Sequence, residues 1–112
     1  MNNYFIILAA GNSSRFRSKT PKQYSMYKGI QTFQHSINKA LESKLFKKVI
    51  LVINKKHKKY IYNLDKKNII QINGGKQRHI SCFKALKFIK KFKPNKVFIH
   101  DAARPNFSIK LL

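Results

Sequence analysis

The sequence predicts an α/β domain, with a mostly parallel sheet and helices packed on both of its faces. Three observations lead there. Runs that are apolar throughout, such as Tyr4-Phe5-Ile6-Ile7-Leu8-Ala9 and Val49-Ile50-Leu51-Val52-Ile53, suit strands buried on both faces. Segments with apolar residues at helical spacing alternate with those runs. Polar, glycine-containing stretches follow the runs, which places them at strand carboxyl ends, where open parallel sheets bind ligands.

Taken in order, the first strand covers Tyr4 to Ala9, and a polar loop rich in Ser, Asn, Arg and Lys runs from Ala10 to Pro21. Thr32 to Leu45 reads as a helix with Phe33, Ile37, Ala40 and Leu41 on one face. Lys48 to Ile53 is the second strand. Lys55 to Asn63 reads as a short helix, with Tyr60 and Leu64 turned inward. Asn68 to Ile72 is the third strand, and Asn73-Gly74-Gly75 a sharp turn. Gln77 to Phe92 reads as a helix with Ile80, Phe83, Ala85, Leu86 and Ile89 near one stripe. After a turn at Pro94-Asn95, Lys96 to His100 forms the fourth strand, with Asp101 at its C-terminal end. The polar elements after Ala9, Ile72 and Ile99 should therefore converge on one edge of the sheet. The last residues, Ile109-Lys110-Leu111-Leu112, look like the opening of another helix, which points to a truncated domain.

A length of 112 residues allows one domain with a single modest core, and an apolar fraction of 43% argues against wholesale disorder. No run reaches the ~20 apolar residues needed to span a bilayer, so no membrane role is expected. Residues 4–10 are apolar, but no basic region precedes them and no cleavage-like tail follows, so no signal peptide is read. The single cysteine, Cys82, excludes an internal disulfide, and a cytoplasmic setting fits. The charge is +22, from 25 Lys and Arg against 3 acids. A polyanion partner such as nucleic acid would fit that balance. So would compositional drift, because Lys, Asn, Ile, Phe and Tyr abound together and the lysines are scattered over many segments.

Three elements carry chemistry. The first is Leu8-Ala9-Ala10-Gly11-Asn12-Ser13-Ser14-Arg15-Phe16, followed by Pro21-Lys22-Gln23. A strand entering a small, glycine-containing loop lets backbone N–H groups approach a triphosphate. Arg15 offers a planar fork of donors and Lys22 a point charge. The loop lacks both the Gly-Lys-Ser/Thr ending of a Walker loop and the G-x-G-x-x-G fingerprint, and a basic surface loop would read the same. The second is Asp101, in Ile99-His100-Asp101-Ala102-Ala103-Arg104-Pro105. A carboxylate at a strand end can hold Mg²⁺ against nucleotide phosphates or can cap a helix. The other acids, Glu42 and Asp65, read as solvated. The third is Gly74-Gly75-Lys76-Gln77-Arg78-His79-Ile80-Ser81, where a glycine pair permits close approach of a flat base and Ser81 adds a hydroxyl. A plain turn and helix start would look alike. His35, His57, His79 and His100 share no metal-like spacing, and Cys82 reads as packing.

In this order and spacing, Ala-Ala-Gly…Arg…Pro-Lys-Gln, Gly-Gly…Arg…Ser and His-Asp-Ala-Ala-Arg-Pro resemble the 2-C-methyl-D-erythritol 4-phosphate cytidylyltransferases of non-mevalonate isoprenoid synthesis, from Ile6 to Pro105. The resemblance implies a Rossmann-like fold of the nucleotide-diphospho-sugar transferase type, with residues 1–112 as the N-terminal, nucleotide-binding part of the domain. It implies that Arg15 and Lys22 stabilise charge at the α-phosphate, and that the backbone of Ala9, Ala10, Gly11, Asn12, Ser13 and Ser14 holds the triphosphate. Gly74, Gly75 and Ser81 would select cytosine and ribose, Asp101 would bind Mg²⁺ and substrate, and Arg104 would lie towards methylerythritol phosphate. CTP and methylerythritol phosphate are then the partners, with no nucleic acid and no membrane, and the full-length protein is expected to be a homodimer. Members usually carry a second glycine where this chain has Ser13, and their domains are longer, supplying further substrate contacts. A ribitol 5-phosphate cytidylyltransferase would share Pro-Lys-Gln and His-Asp but tends towards Ala-Gly-Gly in the first loop. A basic nucleic-acid-binding module would leave Asp101 and the convergence of three loops unexplained.

Overall fold

A computed structural model of the chain describes residues 2–11, 22–61, 64 and 67–102. Its elements, in order, are β1 (Asn3–Ala9), β2 (Met26–Tyr27), β3 (Ile30–Gln31), α1 (Thr32–Ser43), β4 (Lys48–Ile53), β5 (Ile69–Asn73), α2 (Arg78–Ile89) and β6 (Lys96–Asp101). Short 3₁₀ turns lie at Lys22–Tyr24, Lys55–Tyr60 and Lys90–Phe92.

The main sheet has the order β5-β4-β1-β6, with every neighbouring pair parallel. Parallel pairing suits strands with apolar side chains on both faces, because helices cover both. Successive side chains of a strand point to opposite faces. Phe5, Ile7 and Ala9 therefore join Val49, Leu51 and Ile53 on one face, beneath Phe33, Ile37 and Ala40 of α1. Tyr4, Ile6 and Leu8 join Ile50 and Val52 on the other, beneath Ala85 and Ile89 of α2. Each such Ile, Leu or Val taken fully out of water contributes about 1.5–3 kcal/mol before entropy is counted. The two layers of apolar side chains thus share β1 and β4, as the fold class expected.

The chain builds outward from β1 through β4 to β5, then returns to lay β6 on the other side of β1. The reversal of direction falls between β1 and β6, and in open α/β sheets a ligand sits in the crevice at the carboxyl ends beside that reversal. At those ends Leu8 pairs with Asp101, and the Ala102 N–H donates to the Leu8 carbonyl at 3.0 Å.

Several expectations need correction. Among the described residues β5 and β6 each have one sheet neighbour and are only half-buried, unlike β1 and β4. In α2 the buried positions are Ser81, Ala85 and Ile89, one helical turn apart, while Phe83 and Leu86 are 65% and 41% exposed. Phe83 stands two residues from Ser81, which turns it well away from the sheet. α1 ends at Ser43, because Lys44 takes a left-handed φ of 58° and its N–H turns back to the Leu41 carbonyl. Residues 55–60 form a 3₁₀ turn, in which Asn54 Oδ1 accepts from the Lys56 N–H. The sequence reading had assigned nothing to the antiparallel β2–β3 hairpin, whose Lys28-Gly29 turn has φ of 49° and 89°. Two positive φ values in a two-residue loop match the right-handed twist of the strands they join. No described helix is long and apolar enough to cross a membrane.

Candidate functional site

β1 delivers the first loop. Ala9 and Ala10 are buried and Gly11 is exposed, so the chain emerges from the sheet at Gly11. Asn12, Ser13, Ser14, Arg15 and Arg104 lie outside the described residues, and of Lys22 the backbone alone is described, at the start of a 3₁₀ turn. β5 delivers the glycine turn. The Gly74 N–H donates to the Ile53 carbonyl at 2.7 Å, extending the β4–β5 ladder by one residue. A Cβ at Gly74 would stand 2.6 Å from Ala10 Cβ, 2.5 Å from Ser81 Oγ and 2.9 Å from Val52 Cγ1. Glycine is therefore required by close packing, since the turn lies directly against the end of the β1 loop.

Ser81 is 3% exposed, and its Oγ accepts from the Gly75 N–H at 3.0 Å. The hydroxyl holds the glycine turn against the first turn of α2. That bond gives Ser81 a shaping part beside the base-reading part expected of it. β6 delivers Asp101, half-buried at the crevice. Leu8, Ala10, Gly11, Gly75, Lys76, Gln77, Arg78, Ser81 and Asp101 together line a cleft of about 110 Å³. Ala10, Gly11, Gly75, Ser81 and Asp101 had been singled out from the sequence, and the structure brings them to one place. A wider hollow of about 570 Å³ adjoins it across Ala10 and Gly75, walled by Asn54, Lys56, His57 and Lys84.

The electrostatics suit an anion. Lys76 and Arg78 stand on the cleft, and the N-terminus of α2 opens onto it with the positive end of its peptide dipoles. His57 is buried, and burial, aided by Lys59, holds its imidazole below the usual histidine range. Its Nδ1 has no hydrogen-bond partner among the described residues. No group of three metal-ligating side chains occurs among those residues. A lone carboxylate can serve a hard cation only where waters and phosphate oxygens complete the cation's shell. Whether Asp101 caps a following helix turns on residues from 103 onward, outside the described part.

The sequence shows Gln23 only as a member of the Pro-Lys-Gln motif, with no role of its own, and does not single out Tyr24. The Gln23 Nε2 donates to the Ala9 carbonyl at 2.9 Å and the Gly11 carbonyl at 2.7 Å. The Tyr24 hydroxyl donates to the same Ala9 carbonyl at 2.7 Å. The available signal was a glutamine directly after Lys22, next to an aromatic residue.

The family model for 2-C-methyl-D-erythritol 4-phosphate cytidylyltransferase (IspD) matches residues 4–112. The chain belongs to the IspD family. A Pelagibacter ubique protein named bifunctional enzyme IspD/IspF is 56% identical over 112 residues, which are all of this chain and 30% of that protein. The 2-C-methyl-D-erythritol 4-phosphate cytidylyltransferase of Thermotoga neapolitana is 35% identical over 105 residues, 92% of this chain and 47% of that one. The crystal structure of the Francisella tularensis IspD superposes with a TM-score of 0.75 at 34% identity, covering 97% of this chain and 48% of that chain. The bifunctional IspDF of Campylobacter jejuni superposes with a TM-score of 0.74 at 30% identity, covering 96% and 28%. The chain thus spans less than half the length of these IspD relatives. Their fold agrees with the Rossmann-like α/β architecture expected from the sequence.

Proposed function

We propose that the protein carrying this chain transfers the CMP moiety of CTP to 2-C-methyl-D-erythritol 4-phosphate, releasing pyrophosphate, in non-mevalonate isoprenoid precursor synthesis. The observation that supports this best is the meeting of the β1 loop, the Gly74-Gly75 turn and Asp101 in one cleft at the reversal of strand order. These are the three motifs on which the family resemblance rests, and family membership favours this reading over a ribitol 5-phosphate enzyme or a basic nucleic-acid module.

In this reading the substrate's phosphate oxygen attacks the α-phosphorus of CTP in line, and the bond from that phosphorus to the pyrophosphate oxygen breaks. The attacking group is already an anion, so the protein's work is positioning and charge stabilisation. The backbone from Ala9 to Ser14 holds the triphosphate, and Arg15 and Lys22 stabilise charge on the α-phosphate. Gly74, Gly75 and Ser81 form the wall against which cytosine and ribose are selected. Lys76 and Arg78 add positive field on the cleft. Arg104 lies towards the methylerythritol phosphate. A divalent cation, Mg²⁺ in this proposal, fits Asp101 and would supply neutralisation of phosphate charge when bound. The setting is cytoplasmic, the partners are the two substrates, and the complete protein is a homodimer.

The test is pyrophosphate release by the full-length protein from CTP and methylerythritol phosphate in Mg²⁺. UTP, ATP and ribitol 5-phosphate serve as substitutes, and a DNA duplex as binding competitor. Turnover selective for CTP and methylerythritol phosphate supports the proposal. Equal or faster turnover of ribitol 5-phosphate, or steeply salt-dependent DNA binding without nucleotide preference, overturns it.

A further inference from the structure

Ten residues, 12–21, separate Gly11 from Lys22, and side chains just after them donate to backbone carbonyls just before them. Both hydrogens of one side-chain amide are used. Gln23 Nε2 reaches Ala9 O at 2.9 Å and Gly11 O at 2.7 Å, and the side chain is 4% exposed. The Tyr24 hydroxyl adds a second donor to Ala9 O at 2.7 Å. Burial pushes the Tyr24 phenol well above the usual tyrosine range, so it remains a donor across physiological pH.

The donors are themselves anchored. Gln31 Nε2 donates to the Tyr24 carbonyl at 2.9 Å. The Thr32 N–H and Oγ1 both donate to the Ser25 carbonyl, at 2.9 and 3.0 Å. The Tyr24 ring lies edge-on to Phe33 and His57 and stacks on Tyr60. Residues 22–25 are thereby fixed to the start of α1 on one side and to the end of β1 on the other.

A peptide unit is planar, so holding a carbonyl in one direction turns the N–H of the same unit to the opposite side. Clamping the carbonyls of Ala9 and Gly11 therefore sets the direction of two N–H groups, that of Ala10 and the one directly after Gly11, at the start of the stretch that the proposed function gives to the triphosphate. The same bonds bring the backbone of Lys22 beside the loop's origin. Glutamine suits this place because its amide carries two hydrogens for two carbonyls. A glutamate would oppose them with negative charge, and a space-filling residue would leave the Ala9 carbonyl to the Tyr24 hydroxyl alone and remove the tie to the Gly11 carbonyl.

We propose that Gln23, seconded by Tyr24, is a positioning residue for nucleotidyl transfer, clamping the base of the phosphate loop so that Lys22 and the loop's backbone donors share one frame. The inference rests on the reading of this cleft as a CTP site.

The test is Gln23→Met in the full-length protein, near-isosteric but without donors. The expected result is a KM for CTP raised about 10–100-fold with a lower kcat, in protein that still melts cooperatively. Tyr24→Phe, which keeps the ring and removes one donor, should raise the same KM by a smaller factor. A purely structural part would instead reduce the active fraction, lowering kcat while leaving the KM for CTP unchanged. Folded Gln23→Met with wild-type kinetics, or with loss confined to kcat, overturns the clamp. So does an unfolded Gln23→Met beside a Tyr24→Phe whose KM is wild-type. Absence of CTP turnover in the wild-type protein is a different failure: it removes the functional reading, and the clamp with it.

Discussion

Gly74→Ala should strain the site at its most crowded point. The new methyl carbon would stand 2.6 Å from Ala10 Cβ, 2.9 Å from Val52 Cγ1 and 2.5 Å from Ser81 Oγ. Ordinary carbon–carbon contact needs about 3.5–4.0 Å, so each neighbour must give by close to 1 Å. None gives cheaply. Ala10 Cβ cannot rotate away, Val52 is fully buried in β4 with a stiff χ1, and turning Ser81 Oγ aside abandons the Gly75 N–H. The Gly74 N–H bond to Ile53 holds the turn in place from the sheet side. The backbone between β5 and α2 must shift, at about 1–3 kcal/mol for overpacking of this kind. With a slope of about 1–3 kcal/mol/M, the urea midpoint should fall by about 1 M. CTP binding should weaken as well, because the shift moves Ala10 against the cleft. Gly11→Ala is the control: among the described residues nothing lies within 4 Å of its added Cβ, so stability should stay within about 0.5 kcal/mol of wild type. A Gly74→Ala midpoint within about 0.2 M of wild type, at unchanged slope, would refute the close-packing argument.

Other perturbations probe separate parts of the site. His57 is held below its ordinary pKa in the folded chain, chiefly by burial and then by Lys59, so the unfolded chain binds the proton more readily. Stability should therefore fall as pH drops below about 6.5, down to the folded pKa, and His57→Phe should flatten urea midpoints measured across that window; an unchanged slope against pH would exclude His57 as the cause. Asp101→Asn should weaken the Mg²⁺ dependence of turnover, read from a titration of rate against Mg²⁺; a wild-type response would favour the helix-capping part instead. Arg15→Ala should lower turnover by about 10²–10³-fold, and Arg15→Lys should also be impaired because the guanidinium fork is lost. An effect of Arg15→Ala below about threefold would remove Arg15 from the mechanism.

The strands were legible because β1 and β4 are apolar on both faces, a pattern that few structures other than a covered parallel sheet can use. Lys48–Ile53 was bounded correctly, and the ends of the other elements moved by a few residues where caps decided them, as Lys44 did for α1. The β2–β3 hairpin was not legible because its strands have two residues each and Lys28 is an uncommon bearer of positive φ. The stripe of α2 was misread because Phe83 and Leu86 are apolar yet exposed, and periodicity cannot tell an apolar side chain facing the sheet from one that does not. The convergence of Ala10, Gly75 and Asp101 followed from topology alone, since strand carboxyl ends share one edge. Gln23 was legible as the last residue of Pro-Lys-Gln, but its part was not, because which backbone carbonyls a side chain will reach is set by the fold.

The position of β1 explains why one site can draw on elements so distant in the chain. It is flanked by β4 and β6, carries side chains into both apolar layers, and is buried at every residue. Its last carbonyl receives Gln23 and Tyr24, its penultimate residue pairs with Asp101, and Ala10 just beyond it packs against Gly74. The loop that follows is thus referred to the most enclosed strand of the fold rather than to an edge. A site that works by holding charges in place needs such a frame, because misplacement by about 1 Å can cost on the order of 10²-fold in rate. The +22 charge supplies a general attraction for anions; in the proposed reaction, the directions in which phosphates are gripped would come from this strand end and the side chains bonded to it.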